Sequence, residues 1–307
     1  MPTAVVSDNS TICAGGSTTF TVTLTGTAPW SATYTDGAMP VTVSGINASP
    51  HTFTVSPTAT STYVLSAVSD AHCNAISMTG NAVVTVKPLP TASLSGNTTI
   101  CVGSSANLSV ALTGTQPWSI TYTDGVTPVT QTGITTNPFL IPVSPTTTTT
   151  YSITALADVS CTGTSFAGNV TVVVDQLPTA NAGGTQTICS NGSATVNGAT
   201  ATNGTILWTH NGAGSISDAT TLTPTYTAAA GDAGKTITLT MTVTSNNVCS
   251  AAATATATYT VIVDPLPTAT AGGSQTICYN GVATVSGASF KQWNNFMVAQ
   301  WFGITYR

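Results

Sequence analysis

The feature that most constrains this chain is an internal repeat of about 88 residues. The tripeptide Pro-Thr-Ala recurs at intervals of 88, 88 and 89 residues, beginning at Pro2, Pro90, Pro178 and Pro267. This period is the size of a small domain. The spacing predicts three domains and a partial fourth, at residues 1–89, 90–177, 178–266 and 267–290.

The composition favours strands over helices throughout the repeats. Only 4% of the residues are charged, glutamate is absent, and small or β-branched residues dominate. Such residues suit pleated strands joined by tight turns. The clearest strand signal is a run in which apolar residues alternate with threonines, at Ile237, Leu239, Met241 and Val243. We expect an all-β chain of sandwich domains.

Cysteines recur in step with the domains. A Thr-Ile-Cys motif supplies the first cysteine of each repeat, at Cys13, Cys101, Cys189 and Cys278. A second cysteine follows at a constant interval in three repeats, at Cys73, Cys161 and Cys249. This regularity favours structural disulfides and an oxidising, extracellular compartment.

We expect each disulfide to form within one repeat, which leaves Cys278 unpaired and indicates a fragment of a longer chain. The cysteines flank predicted strands, whereas those of antibody domains lie within strands. Pairing between neighbouring repeats is therefore the alternative.

A single tryptophan lies between the two cysteines of each repeat, at Trp30, Trp118 and Trp208. The order Cys, Trp, Cys is typical of immunoglobulin-like sandwiches, in which the tryptophan packs in the core. The third repeat has a different middle segment at 203–210 and is a variant subtype. Proline-rich linkers, such as the one at 87–90, favour extended spacers, so we expect an extended array.

The last residues, 291–307, depart from the repeat in composition. Codons can be chosen for this tail such that a one-base shift restores a segment close to residues 202–215. Three matches do not depend on the codon choice, because Trp-Asn, Met-Val and Trp-Phe force Gly, Trp and Gly in the shifted frame. We interpret the tail as a frameshifted, non-native copy of the repeat.

Several classes of function are not expected. A net charge of -5 argues against nucleic acid as a partner, and no apolar run is long enough to insert into a membrane. No catalytic motif is present, and the histidines His51, His72 and His210 are scattered, so we predict neither an enzyme nor a cofactor. Calcium is possible but unsupported, because no DxDxD cluster joins the turn aspartates Asp36, Asp124, Asp218 and Asp232.

The Thr-Ile-Cys openings, the Pro-Leu-Pro-Thr-Ala linkers, the Tyr-Thr-Asp-Gly hairpins and the Asn-Gly-Thr-Ile-Leu-Trp-Thr-His segment resemble Ig-like and PKD-like repeats. Such repeats occur in very large surface proteins of gliding bacteria. The resemblance covers residues 1–290 and implies export by a type IX route, with a signal peptide and a sorting domain that this chain does not contain. It transfers no functional residues.

We therefore expect a structural or adhesive stalk module at the cell surface. Its partners would be neighbouring repeats, with a surface polysaccharide or another surface protein as further candidates. One alternative is a set of carbohydrate-binding accessory domains of a secreted polysaccharide-degrading enzyme, which requires exposed aromatic residues at equivalent sites of the repeats. A third hypothesis is that rows of threonines, as at 236–244, bind ice or another crystal surface.

Overall fold

The computed structural model describes residues 1–250, 253–270, 272–284, 287 and 289–291. This part of the chain is all-β except for one 3-10 turn at Ala230–Asp232. The chain separates into two compact units, residues 1–98 with 104–173 and residues 99–103 with 174–307. The tail from residue 292 onward, with its predicted frameshift origin, lies outside the described residues.

The first repeat contains nine strands, β1 to β9. They are Thr3–Ser7, Ser10–Cys13, Thr18–Leu24, Trp30–Thr35, Val41–Ile46, His51–Val55, Ser61–Ser69, Ser77–Gly80 and Ala82–Lys87. One sheet has the order β6-β3-β1-β8 and the other β2-β9-β7-β4-β5. The pairs β1–β8 and β2–β9 are parallel, and the other pairs are antiparallel. The chain therefore crosses from one sheet to the other between β1 and β2 and again between β8 and β9.

The second repeat has the same arrangement in strands β10 to β18. They are Thr91–Ser95, Thr98–Cys101, Ala106–Leu112, Trp118–Thr123, Pro128–Ile134, Phe139–Val143, Thr149–Ala157, Ser165–Ala167 and Asn169–Asp175. The sheets have the orders β15-β12-β10-β17 and β11-β18-β16-β13-β14. Each strand occupies the place that its counterpart occupies in the first repeat.

The third repeat is built differently. Its strands β19 to β27 are Thr179–Asn181, Thr185–Cys189, Ser193–Thr195, Thr200–Thr202, Gly204–His210, Ser215–Ser217, Thr225–Thr227, Thr236–Ser245 and Thr254–Asp264. A four-stranded sheet, β20-β27-β26-β23, faces a three-stranded sheet, β21-β25-β24, and the pair β19-β22. After it, β28 (Thr268–Thr270) pairs with β29 (Ser289–Lys291).

Alternation along the strands produces the cores. In β3, Phe20, Val22 and Leu24 are buried, while the threonines between them are not. The Phe20 ring lies 5.3 Å from the rings of Phe53, Tyr34 and Tyr63, which makes an aromatic cluster between the two sheets. In β26 the predicted alternation places four apolar side chains in the core of the third repeat, all at most 2% exposed.

The three tryptophans lie in the cores of their repeats. Trp30, Trp118 and Trp208 are 8%, 7% and 2% exposed. Each indole Nε1–H donates to a backbone carbonyl, those of Thr25, Thr113 and Thr221 respectively, at 3.1, 3.0 and 2.9 Å. These bonds satisfy the indole donors, which would otherwise be costly to bury.

Glycine is required where the last segment crosses between the sheets. Gly80 ends β8 with φ +79°, and a Cβ at this position would overlap the carbonyl oxygen of Val6. Gly168 has φ +85° and the same relation to Leu94 in the second repeat. A side chain is therefore excluded at both positions by conformation and by space.

Candidate functional site: the junction disulfides

Two disulfides are present, and both join different repeats. Cys13 pairs with Cys161 and Cys101 with Cys249, with Cα–Cα distances of 5.8 and 4.6 Å. Each links the first cysteine of one repeat to the second cysteine of the next, across 148 residues of sequence. We call these two bonds the junction disulfides.

The expected pairing within repeats, Cys13–Cys73, Cys101–Cys161 and Cys189–Cys249, is therefore wrong. Cys73, Cys189 and Cys278 are free and exposed. The alternative of pairing between neighbouring repeats is what the structure contains.

The reason is that the two cysteines of one repeat lie at opposite ends of the sandwich. Cys13 ends β2 beside Lys87, the last residue of β9, and the Ala14 N–H donates to the Lys87 carbonyl at 2.8 Å. Cys73 lies near the start of the repeat, where the Ile76 N–H donates to the Pro2 carbonyl at 3.1 Å. Because β1 and β2 follow one another in one direction, ten residues of strand separate these ends by about 30 Å.

A short loop presents the second cysteine at the start of each of the first two repeats. The Asp158 Oδ1 accepts hydrogen bonds from the N–H groups of Ser160 and Cys161, at 2.7 and 2.6 Å. Its Oδ2 accepts from the Thr115 N–H at 2.9 Å. The carboxylate therefore fixes the backbone that carries Cys161 against the neighbouring loop at Thr115.

Charge stabilises this loop. Burial opposes ionisation of Asp158, but the backbone hydrogen bonds, led by that from Thr115, and the Lys87 charge outweigh it and lower its pKa. In the first repeat the N–H groups of His72, Cys73 and Thr27 lower the pKa of Asp70 in the same way. Both loops therefore hold their aspartate ionised at neutral pH.

Polar contacts accompany each junction disulfide. Beside Cys13–Cys161, the Lys87 ammonium donates to the Ser160 hydroxyl at 2.7 Å. Beside Cys101–Cys249, the Val248 N–H donates to the Asp175 carboxylate at 3.2 Å, and the Asn247 amide donates to the Gln176 carbonyl at 3.0 Å. The last strand residue of one repeat thus contacts the residue before the second cysteine of the next.

The remaining residues singled out from the sequence do not converge on one site. The histidines are apart: His51 packs edge-on against Phe53, His72 lies in the Cys73 loop, and the His210 ring lies 5.1 Å from that of Tyr226. Among the described residues, no three His, Cys or Asp side chains are grouped closely enough to hold a metal ion. In the same residues, no helix is long and apolar enough to cross a membrane.

One of the candidate calcium ligands, Asp232, has a structural role that the sequence did not reveal. It is fully buried in the third repeat and accepts hydrogen bonds from the Tyr226 hydroxyl at 2.7 Å, the Ala213 N–H at 2.7 Å and the Ala229 N–H at 3.0 Å. Burial and the bond to Asp232 raise the pKa of Tyr226 to about 12. Burial disfavours the charged carboxylate, yet these bonds lower the pKa of Asp232.

The outer face of the four-stranded sheet in the third repeat is covered by threonines. They are Thr185 and Thr187 on β20, Thr254, Thr256, Thr258 and Thr260 on β27, Thr236, Thr238, Thr240, Thr242 and Thr244 on β26, and Thr205 and Thr209 on β23. They form rows across the strands, such as Thr258, Thr240 and Thr209. We call this surface the threonine face.

The first two repeats share an open groove at equivalent positions. It lies between the Asp-Gly hairpin and a proline loop, and has a volume of about 480 Å³ in the first repeat and 450 Å³ in the second. Tyr34 and Tyr63 line it in the first repeat, and Tyr122 and Tyr151 in the second. Tyr34, Tyr63 and Tyr151 are at most 9% exposed, so these rings belong mainly to the cores.

Comparison with solved structures identifies the fold. A three-immunoglobulin-domain fragment of titin, an E-to-A variant, superimposes with a TM-score of 0.50 and 12% identity, over 86% of this chain and 96% of that one. A second titin fragment gives a TM-score of 0.49 at 11% identity, over 86% and 98% of the two chains. At these identities the likeness defines the class of fold alone, a tandem array of immunoglobulin-like sandwiches.

A bacterial ice-binding adhesin, described as retained at a host cell surface, aligns over 87% of this chain and 98% of its own length at 17% identity. Its TM-score is 0.36, so this likeness carries no argument about function. No protein-family model matches the sequence, and no curated protein matches it.

Proposed function

We propose that this chain is a non-enzymatic structural module of an extracellular bacterial surface protein, a stalk in which each sandwich is covalently joined to the next. The observation that carries the proposal is the position of the disulfides. Bonds within repeats would stabilise single domains, whereas the junction disulfides connect domains. Disulfides are maintained outside the cytosol, which supports the extracellular location.

The junction disulfides shorten the covalent path that bears tension. Along the backbone, the path from Cys13 to Cys249 passes through nearly all of the three repeats. Through the two disulfides, the shortest path contains only the segment 101–161 of the second repeat. Tension therefore enters the second repeat at Cys161 and leaves it at Cys101, and the rest of the backbone between Cys13 and Cys249 is protected from extension.

Single-molecule stretching of the full chain by its ends tests this function. With about 3.5 Å per extended residue, the roughly 175 residues bypassed by the shorter path correspond to about 600 Å of contour length. We expect the oxidised chain to reach a final length about 600 Å shorter than the chain in dithiothreitol. Equal final lengths under the two conditions would rule out covalent connection between repeats as the basis of a stalk.

The threonine face favours a second candidate function, binding to a crystalline surface such as ice or a crystalline polysaccharide. Hydroxyl and methyl groups recur there about every 6.7 Å along a strand and about 4.8 Å between strands. The other outward positions between the threonines include Leu207 and Ile262, which are uncharged. Sheet twist carries successive rows out of one plane, so we place this function second.

Lysine substitutions on the threonine face, with a lysine substitution elsewhere as the control, test the second candidate function. Thr240→Lys with Thr258→Lys places two charges in the centre of the threonine face, and Thr52→Lys places one on an exposed strand of the first repeat as the control. If the face binds crystals, the first variant loses co-sedimentation with crystalline chitin, or inhibition of ice recrystallisation, and the control keeps it. Absence of both activities in the unmodified chain eliminates this candidate.

The carbohydrate-binding alternative has weaker support. It requires exposed aromatic side chains at equivalent sites, but the three tryptophans are buried. Within the described part of the chain, Tyr279 is the one aromatic side chain that is largely exposed. Of the tyrosines that line the two grooves, Tyr34, Tyr63 and Tyr151 are at most 9% exposed, so we do not propose this function further.

A further inference from the structure

Five Asn-Gly pairs occur in the sequence, and all of them lie in the third repeat or after it. They begin at Asn191, Asn197, Asn203, Asn211 and Asn280. An asparagine that precedes glycine is open to deamidation, because the glycine nitrogen can attack the side-chain amide and no side chain on the glycine hinders the approach. In a folded protein the reaction also requires that both groups are free to move. The structure distinguishes the five pairs in this respect.

In two of the pairs, a turn holds the glycine nitrogen. The Gly192 N–H donates to the Cys189 carbonyl at 2.9 Å, and the Gly281 N–H donates to the Cys278 carbonyl at 2.8 Å. Each of these nitrogens has to lose its hydrogen bond before it can attack the preceding side chain. Both pairs are therefore protected.

In two other pairs, a hydrogen bond holds the asparagine side chain. The Asn203 Nδ2 donates to the Leu177 carbonyl at 3.1 Å, and the Asn211 Oδ1 accepts from the Thr238 N–H at 2.8 Å. Gly204 in addition begins strand β23. Rotation of either amide towards the following nitrogen would break its hydrogen bond, so these pairs are protected as well.

The pair Asn197-Gly198 differs from the other four. Both residues are exposed, and Gly198 has φ +75° with open space around it. Among the hydrogen bonds of the described residues, none involves the Asn197 side chain or the Gly198 N–H. The pair lies in the turn between β21 and β22, outside any strand. Its amide and its nitrogen are therefore both free to reach the geometry of attack.

We propose that Asn197 is a site of spontaneous deamidation in the folded protein. The Gly198 nitrogen forms a bond to the Asn197 Cγ while the Cγ–Nδ2 bond breaks, and the proton of that nitrogen leaves with the amide as ammonia. The resulting succinimide adds one water at either of its two carbonyl carbons, which yields aspartate or isoaspartate. Solvent supplies the water, and nothing is oxidised or reduced. This inference is independent of the proposed stalk function.

The products alter the third repeat in charge and in backbone length. Either one adds a carboxylate to a chain whose net charge is already -5. Isoaspartate also adds a methylene group to the backbone between Val196 and Ala199, which are 0% and 9% exposed and belong to the core of the repeat. The turn connects β21 of the three-stranded sheet to β22, which pairs with β19. A longer turn therefore displaces buried side chains, and we expect the isoaspartate form to be less stable.

The test is incubation of the full chain in mildly alkaline buffer, with peptide mass mapping at intervals and separation of aspartate from isoaspartate peptides. We expect Asn197 to be converted several-fold faster than any of the other four asparagines. In urea with a reductant, the five pairs should react at similar rates, because the hydrogen bonds that distinguish them are gone. The isoaspartate form should unfold at a lower urea concentration than the unmodified chain, as followed by Trp208 fluorescence.

Asn197→Gln is the matched variant, since it keeps the amide but requires a larger ring for the same attack. It should abolish rapid conversion at this position and leave the other four asparagines unchanged. Conversion of Asn203 or Asn211 in the folded chain as fast as that of Asn197 overturns the proposal. So does an Asn197 that stays intact in the folded chain but reacts in urea, or one that yields aspartate without isoaspartate, which indicates direct hydrolysis.

Discussion

Removing one junction disulfide should lower the stability of the chain far more than removing free cysteines. The perturbation is the double substitution Cys13→Ser with Cys161→Ser, which leaves no new free thiol. The closed loop spans 148 residues of sequence. In the chain-entropy description, closing a loop of this length lowers the entropy of the unfolded chain and so raises its free energy by about 5 kcal/mol at 25 °C.

The second disulfide changes this value only slightly. The two loops share residues 101–161, so Cys101–Cys249 provides a parallel path between Cys13 and Cys161 and shortens the effective loop to roughly 125 residues. Because the dependence on loop length is logarithmic, the correction is about 0.2 kcal/mol. The Lys87–Ser160 hydrogen bond is exposed and adds at most about 1 kcal/mol.

Urea unfolding followed by tryptophan fluorescence measures the effect, since each repeat contains one buried tryptophan. We expect the free energy of unfolding to fall by about 5 kcal/mol, which corresponds to about 10–20 °C in Tm for a unit of this size. The matched control is Cys73→Ser with Cys278→Ser, which removes two exposed free thiols and should shift stability by less than about 0.5 kcal/mol. Dithiothreitol should lower the stability of the unmodified chain at least as far as the double substitution does.

A difference of less than about 1 kcal/mol between the double variant and the control would refute the reasoning. In that case, loop closure across the junction would not restrict the unfolded chain.

Four further perturbations test the fold. Asp232→Ala leaves three buried donors without their acceptor and should lower the free energy of unfolding of the third repeat by about 3 kcal/mol or more. Asp232→Asn should lower it less, because the amide keeps one oxygen acceptor. Trp208 fluorescence reports the unfolding of this repeat. The lowered pKa values of Asp70, Asp158 and Asp232 contribute stability above their unfolded pKa near 3.9, so unfolding midpoints should fall as the pH drops below about 4. The raised pKa of Tyr226 has the opposite sense, so stability of the third repeat should be lost between pH 10 and about 12, and Tyr226→Phe should lack this contribution. The raised pKa values of Tyr63 and Tyr151 add an alkaline loss in the first two repeats that this substitution leaves in place. Gly80→Ala should lower the free energy of unfolding by more than about 2 kcal/mol, because its Cβ meets the Val6 carbonyl. Gly37 has φ +94° and open space around it, so Gly37→Ala should lower the free energy of unfolding by only about 1 kcal/mol.

The fold was predictable because its signals are local. Alternation along 236–245 predicted a strand, and the structure has β26 there. The Cys, Trp, Cys order predicted immunoglobulin-like sandwiches, and the superposition on titin domains confirms that fold class. The repeat period required only counting along the sequence.

The candidate site was not predictable from spacing, since a constant interval between the two cysteines of a repeat does not say at which end of a domain each one lies. The path of the strands determines this: Cys13 lies beside Lys87 at the end of the repeat, whereas Ile76, just after Cys73, bonds to Pro2 at its start. The flanking position of the cysteines was the one available signal for pairing between repeats. No sequence pattern indicated the hydrogen bond from Tyr226 to Asp232, because a short irregular segment separates Tyr226, in a strand, from Asp232, in a turn.

The junction disulfides also determine what a single backbone cut can do. The linkers at 87–90 and 175–178 are the segments between sandwiches, and each lies inside a closed covalent loop. A protease that cleaves one linker opens that loop but releases no fragment, because Cys13–Cys161 or Cys101–Cys249 still joins the two sides. In the proposed stalk, release of an outer repeat would then require cleavage and reduction at the same junction, two events of different chemistry.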